Sequence, residues 1–275
     1  MNIISFQGLY GAYSDLACRK FYSTYKTLPC TSFEDAFNSV TQNKAKFTMI
    51  PVENSIAGRV SDIHFLIENT ELKIVAEHFF KVEHHLICKE NSKMSEIKNV
   101  YSHIHALSQC KKKIKELKIN PKNFIDTAGA AKFVASSKEV SIAAIASELS
   151  ADIYKLKILK KNMEDKKNNT TRFLVFSKEY TKISIDEKVI TTLIFNTKNL
   201  PASLYKALGG FATNGINLTR LESFFVNESF EKTSFLIDVE CHPKKKAFVN
   251  AFKELEHYSS KVKIIGFYKA SSYRI

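Results

Sequence analysis

Phe47-Thr48-Met49-Ile50-Pro51-Val52, followed at once by Glu53-Asn54-Ser55, sets the reading of the fold. A short apolar run closed by polar residues reads as a strand that ends in a turn. The longer stretch after it, 56–68, reads as a helix. The same alternation recurs on both sides. Strands are expected at 3–6, 47–52, 73–80, 100–101, 124–125, 141–145 and 172–176, and helices at 13–25, 32–42, 56–68, 105–117, 128–135 and 147–153. Short strands alternating with longer helices make a largely parallel α/β sheet. Ser32-x-x-Asp35 adds a local start signal, a hydroxyl that opens a helix and a carboxylate in its first turn.

The register changes after a polar linker at 179–187. Strands are expected at 189–195, 216–225, 233–240 and 261–268, with helices at 202–212 and 244–257. That order is βαββαβ, a ferredoxin-like unit. The expectation is therefore an α/β domain over 1–180 and a smaller βαββαβ domain over 188–275.

Composition narrows the function classes. Of 275 residues, 44% are hydrophobic and only 8 are Gly and 5 Pro, which excludes collagen-like and disordered chains. No apolar run is long enough for a membrane-spanning helix. The formal net charge is +13, but the excess is spread along the chain. Lys plus Arg number 28 against 21 acidic residues in 1–187, and 13 against 7 in 188–275. Nucleic acid is not expected as a partner, whereas a small anion suits the general positive field. The five cysteines (Cys18, Cys30, Cys88, Cys110, Cys241) are odd in number and widely spaced. With no export signal at the N-terminus they point to reduced thiols and a cytoplasmic location. His84-His85 and His103-x-His105 lack metal-ligand spacing, so neither a metal nor another cofactor is expected.

Chemistry is expected where strands run into helices. Ser14, Asn54-Ser55, Ser102 and Thr127 all follow predicted strands, and each is a natural helix N-cap. In parallel α/β sheets the C-terminal strand ends open toward one crevice, and helix N-termini there favour anions. Gly8, Gly11 and Gly58 would let backbone approach a ligand closely. Asn168-Asn169-Thr170-Thr171-Arg172-Phe173 leads from a polar turn into a strand; Arg172 offers a fork for a carboxylate and Thr171 a hydroxyl. Such a pocket suits chemistry driven by the substrate, with the protein supplying orientation and charge stabilisation.

Six segments in order carry a family resemblance: Phe6-Gln7-Gly8-Leu9-Tyr10-Gly11-Ala12-Tyr13-Ser14, Pro51-Val52-Glu53-Asn54-Ser55-Ile56-Ala57-Gly58, Ser102-His103-Ile104-His105-Ala106-Leu107, Asp126-Thr127-Ala128-Gly129-Ala130-Ala131, Ala143-Ala144-Ile145-Ala146-Ser147 and Asn169-Thr170-Thr171-Arg172-Phe173. With Gly215-Ile216-Asn217-Leu218-Thr219 and Glu222-Ser223, the chain resembles the monofunctional bacterial prephenate dehydratases that end in an ACT regulatory domain. The resemblance implies a two-lobed, periplasmic-binding-protein-like α/β catalytic domain, its second lobe at roughly 80–158. It implies decarboxylative dehydration of prephenate, a small dianion, to phenylpyruvate on the route to phenylalanine. By carry-over, Thr171 meets the departing hydroxyl, Arg172 holds a carboxylate and Phe173 packs behind them. Ser14, Asn54, Ser55, Ser102, Thr127 and Asn169 would complete the binding cleft. Ala202, Ser203, Leu204, Asn217, Leu218, Glu222 and Ser223 would bind an L-phenylalanine effector at an ACT dimer interface, in a homodimer or homotetramer.

Departures from the family pattern carry expectations of their own. Leu9 and Ala12 replace Pro and Thr, and Ile104 and His105 replace Pro and Gln. In the regulatory part Ala202-Ser203-Leu204 stands for Gly-Ala-Leu, and Phe224-Phe225 for the Arg-Pro after Glu222-Ser223. Weakened or altered inhibition by phenylalanine is expected. The competing readings are a dehydratase for arogenate or related cyclohexadienyl substrates, and a non-catalytic small-anion or amino-acid binding protein.

Overall fold

The computed structural model describes residues 2–60, 63–198, 200–225 and 233–274. In chain order its elements are β1 (Ile3–Gln7), α1 (Tyr13–Phe21), β2 (Lys26–Cys30), α2 (Phe33–Thr41), β3 (Phe47–Asn54), β4 (Gly58–Arg59), α3 (His64–Asn69), β5 (Lys73–Lys81) and β6 (His85–Cys88). They continue with β7 (Asn99–Ser102), α4 (Ile104–Gln109), α5 (Lys111–Glu116), β8 (Asn120–Asn123), α6 (Thr127–Ser136), β9 (Ile142–Ala146), α7 (Glu148–Tyr154), β10 (Lys157–Lys160) and β11 (Thr170–Ser177). The last are β12 (Val189–Thr197), α8 (Ser203–Thr213), β13 (Leu218–Phe225), β14 (Thr233–Val239), α9 (Lys246–Tyr258) and β15 (Ser259–Lys269). Among the described residues, no helix is long and apolar enough to cross a membrane.

Contacts divide the chain into two units. One holds Met1–Val60 and His78–Phe173, the other Ser61–Glu77 and Leu174–Ile275. By contacts the division falls at 173/174, and 61–77 joins the C-terminal part. Buried carboxylates explain that assignment. Glu77 accepts from Arg274 at Nε (2.7 Å) and Nη2 (3.0 Å) and from the Ser271 amide (3.0 Å). Leaving such a group unpaired in the interior would be costly, so the segment stays with its cations.

In the first unit β1 pairs in parallel with β2 and β3, and β11 lies beside β3. A second sheet runs β10-β6-β9-β7-β8. Its central strand β9, Ile-Ala-Ala-Ile-Ala, is apolar at every position because both faces are covered. Ala143 and Ile145 pack with Ala106, Leu107 and Ile114 of α4 and α5, while Ile142, Ala144 and Ala146 pack with Ala130, Ala131 and Val134 of α6. Period-2 alternation sends successive side chains to opposite helical layers. Between sheets, Gly11 is the pinch point. Its carbonyl accepts from Ser147 Oγ (2.5 Å) and Ser150 Oγ (2.9 Å), and its amide donates to the buried carboxylate of Asp15 (2.9 Å). At φ +91° a Cβ here would meet Ser150 Oγ at 2.6 Å, so Gly11 serves close packing between elements and not a ligand.

Three expectations give way. The helix at 56–68 is replaced by a hairpin, β4 folding back on β3, followed by a helix only from His64; positions 61–62 lie outside the described residues. Asn54 Oδ1 accepts from the amides of Ile56 and Ala57, and Gly58 at φ +84° reverses the chain. The strand expected at 124–125 is instead β8, Asn-Pro-Lys-Asn, an exposed edge strand with no apolar pattern to betray it. The helix at 105–117 breaks at Cys110 into α4 and α5.

The second unit has the expected βαββαβ order, β12-α8-β13-β14-α9-β15. Its antiparallel ladder runs β13-β14-β12-β15, and β5 joins β15 in parallel. Helices α8 and α9 bury Ala207, Phe211, Phe248, Ala251 and Leu255 against Leu193, Phe195, Ile237 and Val239. Glu222 on β13 gathers His64 Nε2 (2.5 Å) and both Nε (2.9 Å) and Nη2 (3.0 Å) of Arg220. Burial pushes the Glu222 carboxyl up, but these hydrogen bonds and charges outweigh it and bring it down to about 2. A carboxyl held below its unfolded value stabilises the fold at neutral pH and loses that contribution as pH falls through the folded value. We expect Glu222→Gln to lower the urea midpoint at pH 7, with the gap to the parent narrowing between pH 4.5 and about 2. Equal midpoints at pH 7 would remove this cluster from the stability of the unit.

Candidate active site

A cavity of about 300 Å³ lies within the first unit, and side chains from both sheets line it. That volume is at the small end for ligand pockets and fits a small metabolite. Gln7 and Gly8 enter from the end of β1, Tyr13 and Ser14 from the first turn of α1, Pro51 and Asn54 from the end of β3, and Asn169, Thr171 and Phe173 from the start of β11. His84, His103, His105, Gln109, Asp126 and Thr127 close the other side. The crevice forms at the carboxyl ends of β1, β3 and β7, where parallel α/β sheets open.

Its wall contains one continuous run of hydrogen bonds. Asn54 Nδ2 donates to Thr171 Oγ1 (2.9 Å) and to Asn169 Oδ1 (2.8 Å). Asn169 Nδ2 donates to Gln109 Oε1 (2.8 Å), which also lies 2.8 Å from His84 Nε2. His84 Nδ1 is 2.6 Å from the Tyr13 hydroxyl. Burial holds the His84 and His103 imidazoles below their ordinary value, and pushes the Tyr13 phenol well up, an effect to which nearby Cys110 and Glu164 add. Near pH 7 the two imidazoles are neutral and the phenol keeps its proton. Among the described residues no group of three or more His, Cys, Asp or Glu side chains could hold a metal ion.

Of the expected site residues, Ser14, Asn54, Thr127, Asn169, Thr171 and Phe173 meet around this cavity. Three do not. Arg172, only 3% exposed, is absent from the lining; strand alternation turns it away from Thr171 and Phe173, so it offers no fork to a ligand there. Ser55 is exposed and clips β11, donating to Asn168 O (2.7 Å) and accepting from Thr170 N (2.9 Å). Ser102 is fully buried and donates to Ile145 O (2.6 Å), tying β7 to β9. The capping expectation also shifts by a residue: His103 and Asp126, not Ser102 and Thr127, cap α4 and α6. Ala12 caps α1 with no side-chain bond. Tyr13, His84 and Gln109 escaped the sequence reading, because nothing in their spacing announces that they converge.

In the second unit, Ala202 sits at φ +62°, the left-handed conformation that favours glycine, directly before α8. Ser203 is buried and Leu204 packs on the core. Asn217 Nδ2 donates to Glu240 Oε2 (2.9 Å), Leu218 also packs on the core, and Glu222 is engaged by His64 and Arg220. Ser223 follows it on β13, paired in register with Phe235.

The prephenate dehydratase family model matches residues 4–181. This chain belongs to the prephenate dehydratase family. A relative from Komagataeibacter europaeus, a bifunctional N-acyl-homoserine lactone acylase/prephenate dehydratase, is 43% identical over 99% of this chain and 98% of its own length. An Arabidopsis thaliana arogenate dehydratase/prephenate dehydratase is 35% identical over 96% of this chain and 71% of its own. The crystal structure of prephenate dehydratase from Arthrobacter aurescens in complex with L-Phe superposes with a TM-score of 0.90 at 25% identity, covering 98% of this chain and 90% of that one.

The location of Ser102 is open to test. Ser102→Ala should cost about 1 kcal/mol of stability, the usual net worth of one buried hydrogen bond. Dehydratase kcat/KM in the folded variant should stay within about twofold of the parent, on the order of 0.4 kcal/mol. A large loss of turnover without loss of stability would return Ser102 to the substrate.

Proposed function

We propose that this chain is a carbon–oxygen lyase that converts prephenate to phenylpyruvate, CO2 and water in phenylalanine biosynthesis. The observation that carries the reading is the Thr171 hydroxyl. Thr171 lines the cavity, its oxygen accepts from Asn54, and its own hydrogen finds no acceptor among the described residues. A donor so placed is available to the substrate.

The chemistry asks little more. The electron pair of the breaking C–CO2 bond enters the ring, the C4–O bond breaks, and the departing hydroxide takes a proton from solvent to become water. Aromatisation supplies the driving force. The protein must orient the dianion and stabilise charge growing on the departing oxygen. Thr171 fits that task as a hydrogen-bond donor, since an alcohol is a very poor acid. For the carboxylates, the first turn of α1 offers amides that no side chain caps, beside the Ser14 hydroxyl and the Gly8 backbone. Phe173 and Pro51 supply apolar walls for the ring.

For the second unit the reading is an ACT regulatory domain that responds to L-phenylalanine within a homodimer or homotetramer of a cytoplasmic enzyme. The βαββαβ order and the L-Phe complex of the Arthrobacter relative support it. The left-handed Ala202 stands where the resembling sequences place glycine, and its methyl group narrows the approach of a ligand to that backbone.

Removing one preorganised donor costs about 100- to 1000-fold in kcat. Thr171→Ala should show that loss at unchanged stability, and Thr171→Ser should recover most of it, read as phenylpyruvate absorbance with prephenate and arogenate tested side by side. Wild-type turnover in Thr171→Ala would reject the assignment. In a phenylalanine titration, Ala202→Gly should inhibit at lower effector concentration than the parent, and an unchanged curve would separate Ala202 from effector binding.

A further inference from the structure

The hydrogen bonds around the cavity have a direction, and two backbone amides set it. Asn54 Oδ1 accepts from Ile56 N (3.0 Å) and Ala57 N (2.8 Å), groups that can only donate. The Asn54 amide therefore cannot flip, and its Nδ2 must face Thr171 and Asn169. Asn169 then meets Asn54 with its oxygen and presents its own Nδ2 to Gln109. Gln109 must answer with Oε1. The same oxygen lies 2.8 Å from His84 Nε2, so that nitrogen has to carry a hydrogen. His84 Nδ1 is left as the acceptor, and the Tyr13 hydroxyl, 2.6 Å from it and 3.0 Å from the Glu83 carbonyl, shares its one hydrogen between the two. Buried and neutral, His84 has one hydrogen to place, and the network places it.

We infer that Gln109 is a positioning residue for the dehydratase reaction: its side-chain carbonyl, accepting from both Asn169 and His84, locks the amide polarity that leaves the Thr171 hydrogen pointing at the substrate. The inference rests on the reading of Thr171 given above. Gln109 lies at the C-terminal end of α4, in another sheet layer from Thr171, and acts through Asn169 and Asn54. If a donor replaced its carbonyl, Asn169 would be driven to flip. Asn54 would then face a second Nδ2, its bond to Asn169 would be lost, and its hold on Thr171 would loosen. The network also gives His84 a role. It fills the second lone pair of Gln109 Oε1 and is itself braced by Tyr13 and, through its backbone amide, by Glu164 (2.9 Å).

The test pairs two near-isosteric variants with a spectroscopic readout. Gln109→Met keeps the volume and removes the acceptor; Gln109→Glu keeps two acceptor sites. Because a slight misplacement of a reacting group costs up to about 100-fold, Gln109→Met should lower kcat with prephenate by roughly 10- to 100-fold while KM changes little. Gln109→Glu should regain at least about tenfold of that loss, a rescue that a packing role would not give, since Met fills the site better than a charged Glu does. Independently of turnover, 15N-histidine spectra of the wild-type protein, with His84→Gln to identify the signal, should show His84 protonated at Nε2. A His84 protonated at Nδ1 alone overturns the inference even if Gln109→Met fails to fold. So does a Gln109→Met enzyme with wild-type kcat, or a Gln109→Glu no better than Gln109→Met. Absence of any prephenate turnover by the wild-type chain would instead sink the functional reading, and the tautomer would still report on the network.

Discussion

The bond from the amides of Ile56 and Ala57 to the side-chain carbonyl of Asn54 is the constraint on which the site depends. It performs two tasks with one atom. It folds the chain after β3 into the β4 hairpin, and it fixes which end of the Asn54 amide faces the cavity. Backbone amides cannot exchange donor for acceptor, so the orientation passes outward without ambiguity. Thr171 receives a donor and keeps its own hydrogen for whatever occupies the cavity. A side chain that could rotate freely would leave that hydroxyl with two competing arrangements, and preorganisation would be lost.

The fold keeps this arrangement rigid by sealing the layers behind it. Strand β9 is buried on both faces, and Ser102 and Gly11 join neighbouring elements through short bonds to backbone carbonyls. Polar side chains that might have served a ligand are spent on the scaffold instead. Ser55 and Asp126 each satisfy a backbone amide, and Ser102 satisfies the buried Ile145 carbonyl, which would cost stability if left unpaired. Arg172 follows the same logic: strand periodicity alone sets it on the face away from Thr171. In a cavity that presents histidines and helix-start amides, an anion would meet oriented dipoles.

Legibility in the sequence followed pattern strength. Strands with apolar runs, such as β1, β3, β9 and β12, and the Ser32 cap, which accepts from the Asp35 amide (3.0 Å), lie where the residues imply. Polar edge strand β8 and short β2 and β10 carry no such pattern, and β6 is apolar and buried but only 4 residues long. Half of the cavity wall was legible because Asn54, Asn169 and Thr171 sit in recognisable motifs at strand ends. His84 and Gln109 sit in no such setting, and only their distance of 2.8 Å reveals them.

By itself, then, the sequence determined the α/β and βαββαβ order, the family, and the neighbourhood of Asn54 and Thr171, because hydrophobic period and motif spacing are local properties of a chain. Tertiary structure decided which hydroxyls face the cavity, the union of 61–77 with the C-terminal unit, and the directed run of hydrogen bonds from Tyr13 to Thr171. Those depend on contacts between residues as many as 197 positions apart, and no local pattern encodes the direction in which a distant donor points.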